Sequence, residues 1–432
     1  MEIKKPQVLI IGGGMITQVQ ILPSIYQLQR IGLIDRISIS ALNIPPLKAL
    51  KEDPLLGQAF PGQGFHSYPD IAAVDGNRMA PDLYREALRK LPRRSIVIVA
   101  IPDHLHHDVV RETLQTGHHV ICVKPLVLKG DQAKEIEELA RDRGLFVGIE
   151  YHKRLDDRNL LARRKYRQGL FGDFRIGQAH LMEPWYYRRS NFQNWCTIEN
   201  SDPFTYIACH YIDLVHFITG LLPAEVSVIG VVEKFPNGNR AFMWSDGRVI
   251  WQNDACLNVI NGFGYPDAGA GSNAQGMLLF CTGKEDGGLI DHHDQFRGVK
   301  HSYAVADPAS GEKRYHEINP DYFQMVDVGG AGLKPVGYGY RSIELLVSTI
   351  LQLEQATSGL DRENALKKRR EQLATIDREG MVATPANSAY NELVIEAGRH
   401  SILKGGRPVV IEYGKRPKVR FKEISEYPTY AG

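Results

Sequence analysis

Short apolar blocks alternate with amphipathic stretches along the first third of the chain. Residues 8–11 (VLII), 37–41 (ISISA), 96–101 (IVIVAI), 119–123 (HVICV) and 145–150 (LFVGIE) have the length and continuity of strands buried on both faces. Residues 18–30, 82–90, the segment after Pro102 and 130–144 carry apolar positions at helical spacing, and the last of these stops at Gly144. Two strands joined by a helix run parallel, so residues 1–150 are predicted to form a doubly wound parallel sheet.

After Tyr151 the rhythm changes. Residues 176–182, 225–232, 248–251, 255–259, 275–281 and 289–291 read as strands with few helices between them, and 408–413 as a last strand. This predicts a second domain, 151–432, of α+β type with a large, mostly antiparallel open sheet. Helices are expected over 204–219, 341–358, 361–379 and 387–404, and the C-terminal ones have the option of packing back on the first domain. Residues 237–271 look like an insertion, with 262–271 (GFGYPDAGAG) as its most flexible part.

Composition narrows the function classes. A chain of 432 residues, 43% hydrophobic and 24% charged, fits a soluble protein with two cores. The net charge of +2 and the lack of a basic block speak against nucleic acid as a partner. No apolar run is long enough to span a bilayer, and the block after Lys4 and Lys5 is too short for a secretory signal. Five cysteines, at 122, 196, 209, 256 and 281, are odd in number and never in CxxC spacing. They argue against a disulfide framework and for a reducing, cytoplasmic setting.

Candidate chemistry begins at Gly12-Gly13-Gly14-Met15-Ile16-Thr17, which follows the first strand and opens a helix. That order is the one a dinucleotide-binding loop needs: glycine permits a tight turn and lets the backbone approach a pyrophosphate at the helix N-terminus. Thr17 stands where a third glycine would complete the motif. At the end of the second strand an acidic residue would suit NAD and an arginine NADP. Ser40, Leu42 and Asn43 stand there, with Lys48 and Lys51 beyond, so these residues leave both cofactors open. Segment 95–125 places Pro102-Asp103 and Lys124-Pro125 at the carboxyl ends of its two strands, where open parallel sheets bind ligands.

A second constellation lies in residues 204–219, FTYIACHYIDLVHFIT. Ile207, Tyr211, Leu214 and Ile218 form a core stripe, and Tyr206, His210 and Asp213 share the adjoining face. A histidine beside a carboxylate one turn on is an acid–base group with a partner for its charged form. In Asp291-His292-His293-Asp294 adjacent histidines on a strand point to opposite faces, so no metal site is expected.

Taken in order, Gly12-Gly13-Gly14, Ala100-Ile101-Pro102-Asp103-His104-Leu105-His106, Cys122-Val123-Lys124-Pro125, Glu150-Tyr151-His152-Lys153-Arg154 and His210-Tyr211-Ile212-Asp213 resemble the glucose-fructose oxidoreductase / inositol dehydrogenase (Gfo/Idh/MocA) family. Ala397-Gly398-Arg399-His400-Ser401 adds a weaker match. The resemblance implies a Rossmann domain for NAD or NADP, with NAD ahead, and cofactor contacts at Gly12, Gly14, Met15, Ile16, Ser40, Asn43, Ile101, Pro102, His104, His106 and Lys124. It also implies a C-terminal domain whose open sheet mediates homo-oligomers, dimers or tetramers, and redox chemistry on a secondary hydroxyl of a sugar, sugar derivative or cyclitol. Lys124 matches the lysine of the family's Glu-Lys-Pro motif and His210 its catalytic histidine. Two positions depart from the pattern: Val123 replaces the glutamate, and Tyr206 replaces the aspartate one turn before the histidine.

Oxidising an alcohol removes a hydride from carbon and a proton from oxygen. His210, whose ordinary pKa is near neutrality, is expected to take the proton, and Lys124 to polarise the oxygen, with Tyr206 and Asp213 as orienters. Lys124, Arg154, Trp185, Tyr186 and His210 are the expected substrate contacts, with Arg188 and Asn191 in the same polar and aromatic stretch. Two other readings share the fold: an enzyme that oxidises a glycoside transiently to cleave it, and a non-catalytic sensor of nicotinamide nucleotide.

Overall fold

A computed structural model describes residues 5–72, 76–269, 273–283, 287–294, 302–306, 311, 313–317 and 321–427. It divides into two compact units. The first gathers Met1–Leu126, Gln132–Asp156 and Pro320–Asn387, and the second Val127–Asp131, Asp157–Asn319 and Ser388–Gly432.

The first unit is built on a six-stranded sheet of β1 (Val8–Ile11), β2 (Ile37–Ser40), β3 (His66–Tyr68), β4 (Ile96–Val99), β5 (His119–Val123) and β6 (Val147–Glu150), in the order β3-β2-β1-β4-β5-β6. Every pairing is parallel. All residues of β1, β2, β4 and β6 are buried, as continuous apolar strands covered on both faces require. The strand order reverses between β1 and β4, so the carboxyl ends of these two strands flank the ligand crevice of such a sheet.

Residues 53–68 are more ordered than a connecting loop. Asp53 accepts the N–H groups of Leu55 and Leu56 and so starts the helix Pro54–Ala59, after which β3 joins the edge of the sheet. Ile343, Leu346, Val347, Ile350 and Leu353, one apolar stripe of the helix Tyr338–Gln355, complete this unit's core.

The second unit holds an eight-stranded sheet. Its strands include β7 (Phe174–Pro184), β8 (Pro223–Lys234), β9 (Arg240–Trp251), β10 (Cys256–Tyr265), β11 (Ala274–Cys281) and β12 (Gly288–His293), in the order β12-β11-β7-β10-β9-β8 followed by Val409–Glu412 and Lys418–Phe421. Only the β7–β10 pair, among those described, is parallel. The segment 237–271 is therefore not an insertion. It supplies β9 and β10, two central strands, and residues 270 and 271 lie outside those described. The sequence showed only parts of these strands, 248–251 and 255–259, because glycines at 247, 262 and 264 break the apolar pattern. Phe204 and Trp244 fill the space where their side chains would be.

Among the described residues no helix is long and apolar enough to cross a membrane.

Candidate functional site

The first unit presents the glycine turn. Gly12 has φ +116°, and a Cβ there would stand 1.9 Å from the carbonyl oxygen of Ala100. Only glycine fits, because β1 and β4 approach each other at the crevice and the chain turns in the left-handed region. Gly14 has nothing within 4 Å of its Cβ position and is exposed, as is Met15, so the start of the helix offers backbone N–H groups to an open space. This arrangement fits a dinucleotide pyrophosphate. Thr17 accounts for the missing third glycine: it is buried and its Oγ1 donates to the carbonyl oxygen of Gly12 at 2.8 Å, tying the turn from within.

Ser40 ends β2, and its carbonyl oxygen accepts the N–H of Gly12 at 2.8 Å. Asn43 is half-buried, and its amide nitrogen reaches the sulfur of Met79 at 3.7 Å. Beyond them Lys48 pairs with Glu52 at 3.8 Å. Ile101 and Pro102 follow β4 half-buried, and Lys124 follows β5 half-buried with its peptide to Pro125 in the cis form. His104 keeps a side chain 27% exposed.

His106 is enclosed. It has no exposed surface, and its ring is held between the carbonyl oxygens of Pro125, 2.8 Å from Nδ1, and Ile101, 2.9 Å from Nε2. Burial holds its pKa down. The residue clamps the ends of β4 and β5 together.

A network invisible in the sequence lies at the end of β6. Gln20, fully buried, donates to Glu150 Oε1 at 2.9 Å and to the carbonyl oxygen of Gly339 at 3.0 Å, and accepts the Tyr322 hydroxyl at 2.6 Å. Glu150 Oε2 lies 3.0 Å from His152 Nδ1, and the His152 ring packs on Tyr322 and Tyr338 at 5.1 and 5.5 Å. Glu150 is the register partner of Val123, so a carboxylate stands on the strand beside the position where the Glu-Lys-Pro motif has lost its own. Arg154, also a substrate candidate, is buried with its guanidinium 5.8 Å from the Tyr151 ring centroid.

The second unit carries the histidine helix. It opens with a π-helical turn, Phe204–Ala208, and continues as the α-helix Cys209–Thr219. A second π-turn, Thr17–Ile21, follows the glycine loop. Such wide turns are rare and are found mostly at functional sites, and here each unit's candidate helix begins with one. Ile207, Tyr211, Leu214 and Ile218 are all fully buried, as the stripe predicts. His210 and Asp213 are buried too, at 7% and 1% exposure, so this helix is enclosed all round and its polar groups need partners. Asp213 Oδ1 accepts the Tyr390 hydroxyl at 2.8 Å, and Asn391 Nδ2 donates to the carbonyl oxygen of Cys209 at 3.0 Å. Asp202 caps the start of the helix through Thr205 N–H at 2.8 Å and forms a buried ion pair with Arg399 at 3.0 Å. Arg399 was visible only as part of the weak tail match; what it does for the helix was not.

Tyr206 joins the aromatic stretch. Its ring stands edge-on to Phe192 at 5.0 Å and to Trp195 at 5.7 Å. Phe192 in turn stacks on Tyr187 at 4.8 Å, beside the exposed Trp185 and Tyr186. The structure therefore brings the residues around Trp185 to the helix that carries His210. On β12, His292 turns inward and His293 outward; Asp294 is buried as well, with a carboxylate oxygen within 4.8 Å of a His292 ring nitrogen. The opposite-face argument thus covers the adjacent histidines but not His292 with Asp294.

Residues 7–151 match the model of an oxidoreductase family with an NAD-binding Rossmann fold, Gfo/Idh/MocA. The match covers the residues of the parallel sheet and not those of the eight-stranded one. The curated relatives include levoglucosan dehydrogenase from Pseudarthrobacter phenanthrenivorans, 23% identical over 167 residues, 37% of this chain and 43% of that protein. Another is D-glucoside 3-dehydrogenase from Escherichia coli, 27% identical over 150 residues, 33% of this chain and 40% of that protein. The chain thus matches less than half the length of either. Among solved structures, scyllo-inositol dehydrogenase from Lactobacillus casei with bound NAD(H) and scyllo-inositol superposes with a TM-score of 0.57 at 13% identity, covering 94% of this chain and 99% of that one. This likeness covers both units and concerns the fold: a parallel Rossmann sheet and a large, mostly antiparallel one.

Proposed function

We propose that the chain is an NAD-dependent dehydrogenase acting on a secondary hydroxyl of a sugar, sugar derivative or cyclitol. The observation that carries this reading is the Gly12 turn, closed against Ala100 and open at Gly14, within a domain of this oxidoreductase family. Carbohydrate chemistry is supported by relatives named for levoglucosan and D-glucosides and by the aromatic stretch beside Tyr206.

Bound NAD supplies the hydride acceptor. Gly12, Gly14, Met15 and Ile16 would hold its pyrophosphate through the backbone, with Ser40 and Asn43 toward the adenosine ribose and Ile101, Pro102 and His104 along the crevice. Lys48 is engaged by Glu52 and no arginine ends β2, which favours NAD over NADP. Lys124 donates to the substrate oxygen and polarises it, and His210 accepts the hydroxyl proton. Asp213, fixed by Tyr390, holds the helix turn on which His210 sits, and Tyr206 orients the substrate. Arg154, Trp185 and Tyr186 complete the substrate contacts.

A second copy of the chain is the proposed partner. Leu289, Phe280 and Ile176 are register neighbours across β12, β11 and β7, and Ile260 and Ile229 flank Asp246 across β10, β9 and β8. These apolar side chains are between 45% and 60% exposed on one face of the sheet, a patch suited to burial against its own copy. The five cysteines are thiols, which suits the cytoplasm.

Nicotinamide absorbance on mixing the protein with NAD or NADP and a panel of sugars, cyclitols and glycosides tests the reading. Reduction of NAD by the wild type and not by Lys124→Ala supports it; bound cofactor with no turnover of any panel member sinks it.

A further inference from the structure

The turn Trp185–Arg189 leaves Trp185 39% exposed and Tyr186 44% exposed while it buries Arg188. The Arg188 guanidinium carbon lies 3.8 Å from the centre of the Trp185 ring and 5.2 Å from that of Trp244. Glu233 holds the assembly: it accepts Arg188 Nη1 at 2.6 Å on one oxygen and Trp244 Nε1 at 2.8 Å on the other. Arg188 Nε donates to the carbonyl oxygen of Phe263 at 2.5 Å. Nε and Nη1 of the guanidinium are therefore fixed, and the indole stacks on the group they hold. Glu233 neutralises the cation, so the open face of Trp185 keeps the electron density of an ordinary indole.

An aromatic ring held flat on one side and exposed on the other has little rotamer entropy left to lose on binding. The C–H face of a pyranose fits such a surface, because its carbon-bound hydrogens meet the electron-rich ring while its hydroxyls project sideways. Polar groups stand at hand for those hydroxyls: Asp267 Oδ1, which accepts the Tyr186 N–H at 2.7 Å, and the Glu183 carboxylate, which accepts Asn273 Nδ2 at 3.4 Å.

Two further rings link the platform to Tyr206. Ring contacts run from Tyr186 to Tyr187 at 4.9 Å, from Tyr187 to Phe192 at 4.8 Å and from Phe192 to Tyr206 at 5.0 Å. Tyr187 and Phe192 thus stand between the exposed pair and Tyr206. A sugar ring lying on Trp185 is taken to be a different ring from one presented to Tyr206 and His210.

We infer that Trp185 is a stacking platform for a second sugar ring, so that the substrate is a glycoside or oligosaccharide and not a free monosaccharide. The inference rests on the carbohydrate reading above, but its test does not depend on turnover. Glucose, maltose and cellobiose are titrated calorimetrically into the full chain and into Trp185→Ala and Trp185→Phe, with the mass of each protein in solution measured alongside. The expected result is that at least one disaccharide binds the wild type about tenfold more tightly than glucose. Trp185→Ala then brings the ratio of affinities to about one, and Trp185→Phe restores most of it. Wild-type protein that binds neither disaccharide more tightly than glucose overturns the inference. So does a ratio that survives Trp185→Ala, or a change of oligomeric mass in that variant, which would assign the ring to a contact between copies. Disaccharide preference in a protein that reduces no NAD would leave the platform standing and remove the dehydrogenase.

Discussion

The Tyr390 hydroxyl donates to Asp213 Oδ1 at 2.8 Å, and both side chains are buried on the helix pair that carries His210. The same tyrosine ring lies 3.9 Å from the His216 ring, and His216 Nδ1 lies 2.7 Å from the carbonyl oxygen of Leu221, so the end of the helix is fixed from two directions. Asp213 is thereby a tethered carboxylate.

Tyr390→Phe keeps the ring and deletes the tether. Loss of a partner for a buried carboxylate is expected to cost about 1–3 kcal/mol, read from urea unfolding. If Asp213 also holds the turn of His210, kcat falls while the KM for NAD does not. A variant as stable and as active as the wild type would remove Asp213 from the orienting role.

Gly12→Ala is expected to be far more damaging than Thr17→Val, although both alter the same turn. The alanine methyl would stand 1.9 Å from the Ala100 carbonyl oxygen on a backbone at φ +116°, whereas the valine only loses the 2.8 Å bond to Gly12. The first should abolish NADH binding, read by fluorescence titration. The second should cost about 1 kcal/mol of stability and weaken NADH only modestly.

Five strands of the first unit and its doubly wound parallel class could be read from the sequence because those strands are continuous apolar blocks joined by stretches of helical spacing; β3, short and polar, was read as part of a connection. The second unit was read with shorter strands than it has. In β9 and β10, polar residues of the open face and glycines under Phe204 and Trp244 interrupt the pattern, so only 248–251 and 255–259 of these two long strands were legible. Of the candidate site, the glycine turn and the core stripe of the histidine helix were legible because spacing encodes them. The Gln20–Glu150 and Asp202–Arg399 contacts were not, since they join residues 130 and 197 positions apart. The π-turns leave no signature in residue type at all.

Acid should weaken the first unit before carboxylates titrate. His118 is buried against the carbonyl oxygen of Leu88, and burial, with His119 and Arg93 nearby, lowers its pKa from 6.5 to about 4. His119, buried beside Arg94 and Glu354, is likewise held down by burial. Both are neutral when folded and take up a proton on unfolding, so their contribution is complete above pH 6.5 and is lost as pH falls toward 4. The slope is at most about 1.4 kcal/mol per pH unit for each group. Thermal melts between pH 7 and pH 4 should fall less steeply in His118→Gln, which keeps an N–H for Leu88; an equal slope would clear His118 of the effect.

Phe280→Asp places a charge at the centre of the register line Leu289, Phe280, Ile176 on the open face of the second sheet. The side chain is 49% exposed in the single chain, so the fold should tolerate the change, and light scattering should report a smaller assembly than the wild type forms. A wild type that is itself monomeric at micromolar concentration would refute the self-association assigned to this face.

Tyr206 distinguishes this chain from the family pattern, and its two possible contributions separate cleanly. The ring packs edge-on to Phe192 and Trp195, a role phenylalanine can fill; the hydroxyl alone can orient a substrate oxygen. Tyr206→Phe should therefore keep the melting temperature and lower kcat about tenfold, the loss of one hydrogen bond realised in the transition state. Tyr206→Asp restores the carboxylate of the family but forfeits the ring contacts, so it should melt lower and disturb the aromatic stretch that leads to Trp185. His210→Ala supplies the scale for both: removal of the base is expected to cut kcat by about 10²–10⁴ with NADH binding retained. A Tyr206→Phe enzyme with wild-type kcat would make Tyr206 a packing residue, and the proton chemistry would then rest on His210 and Lys124 alone.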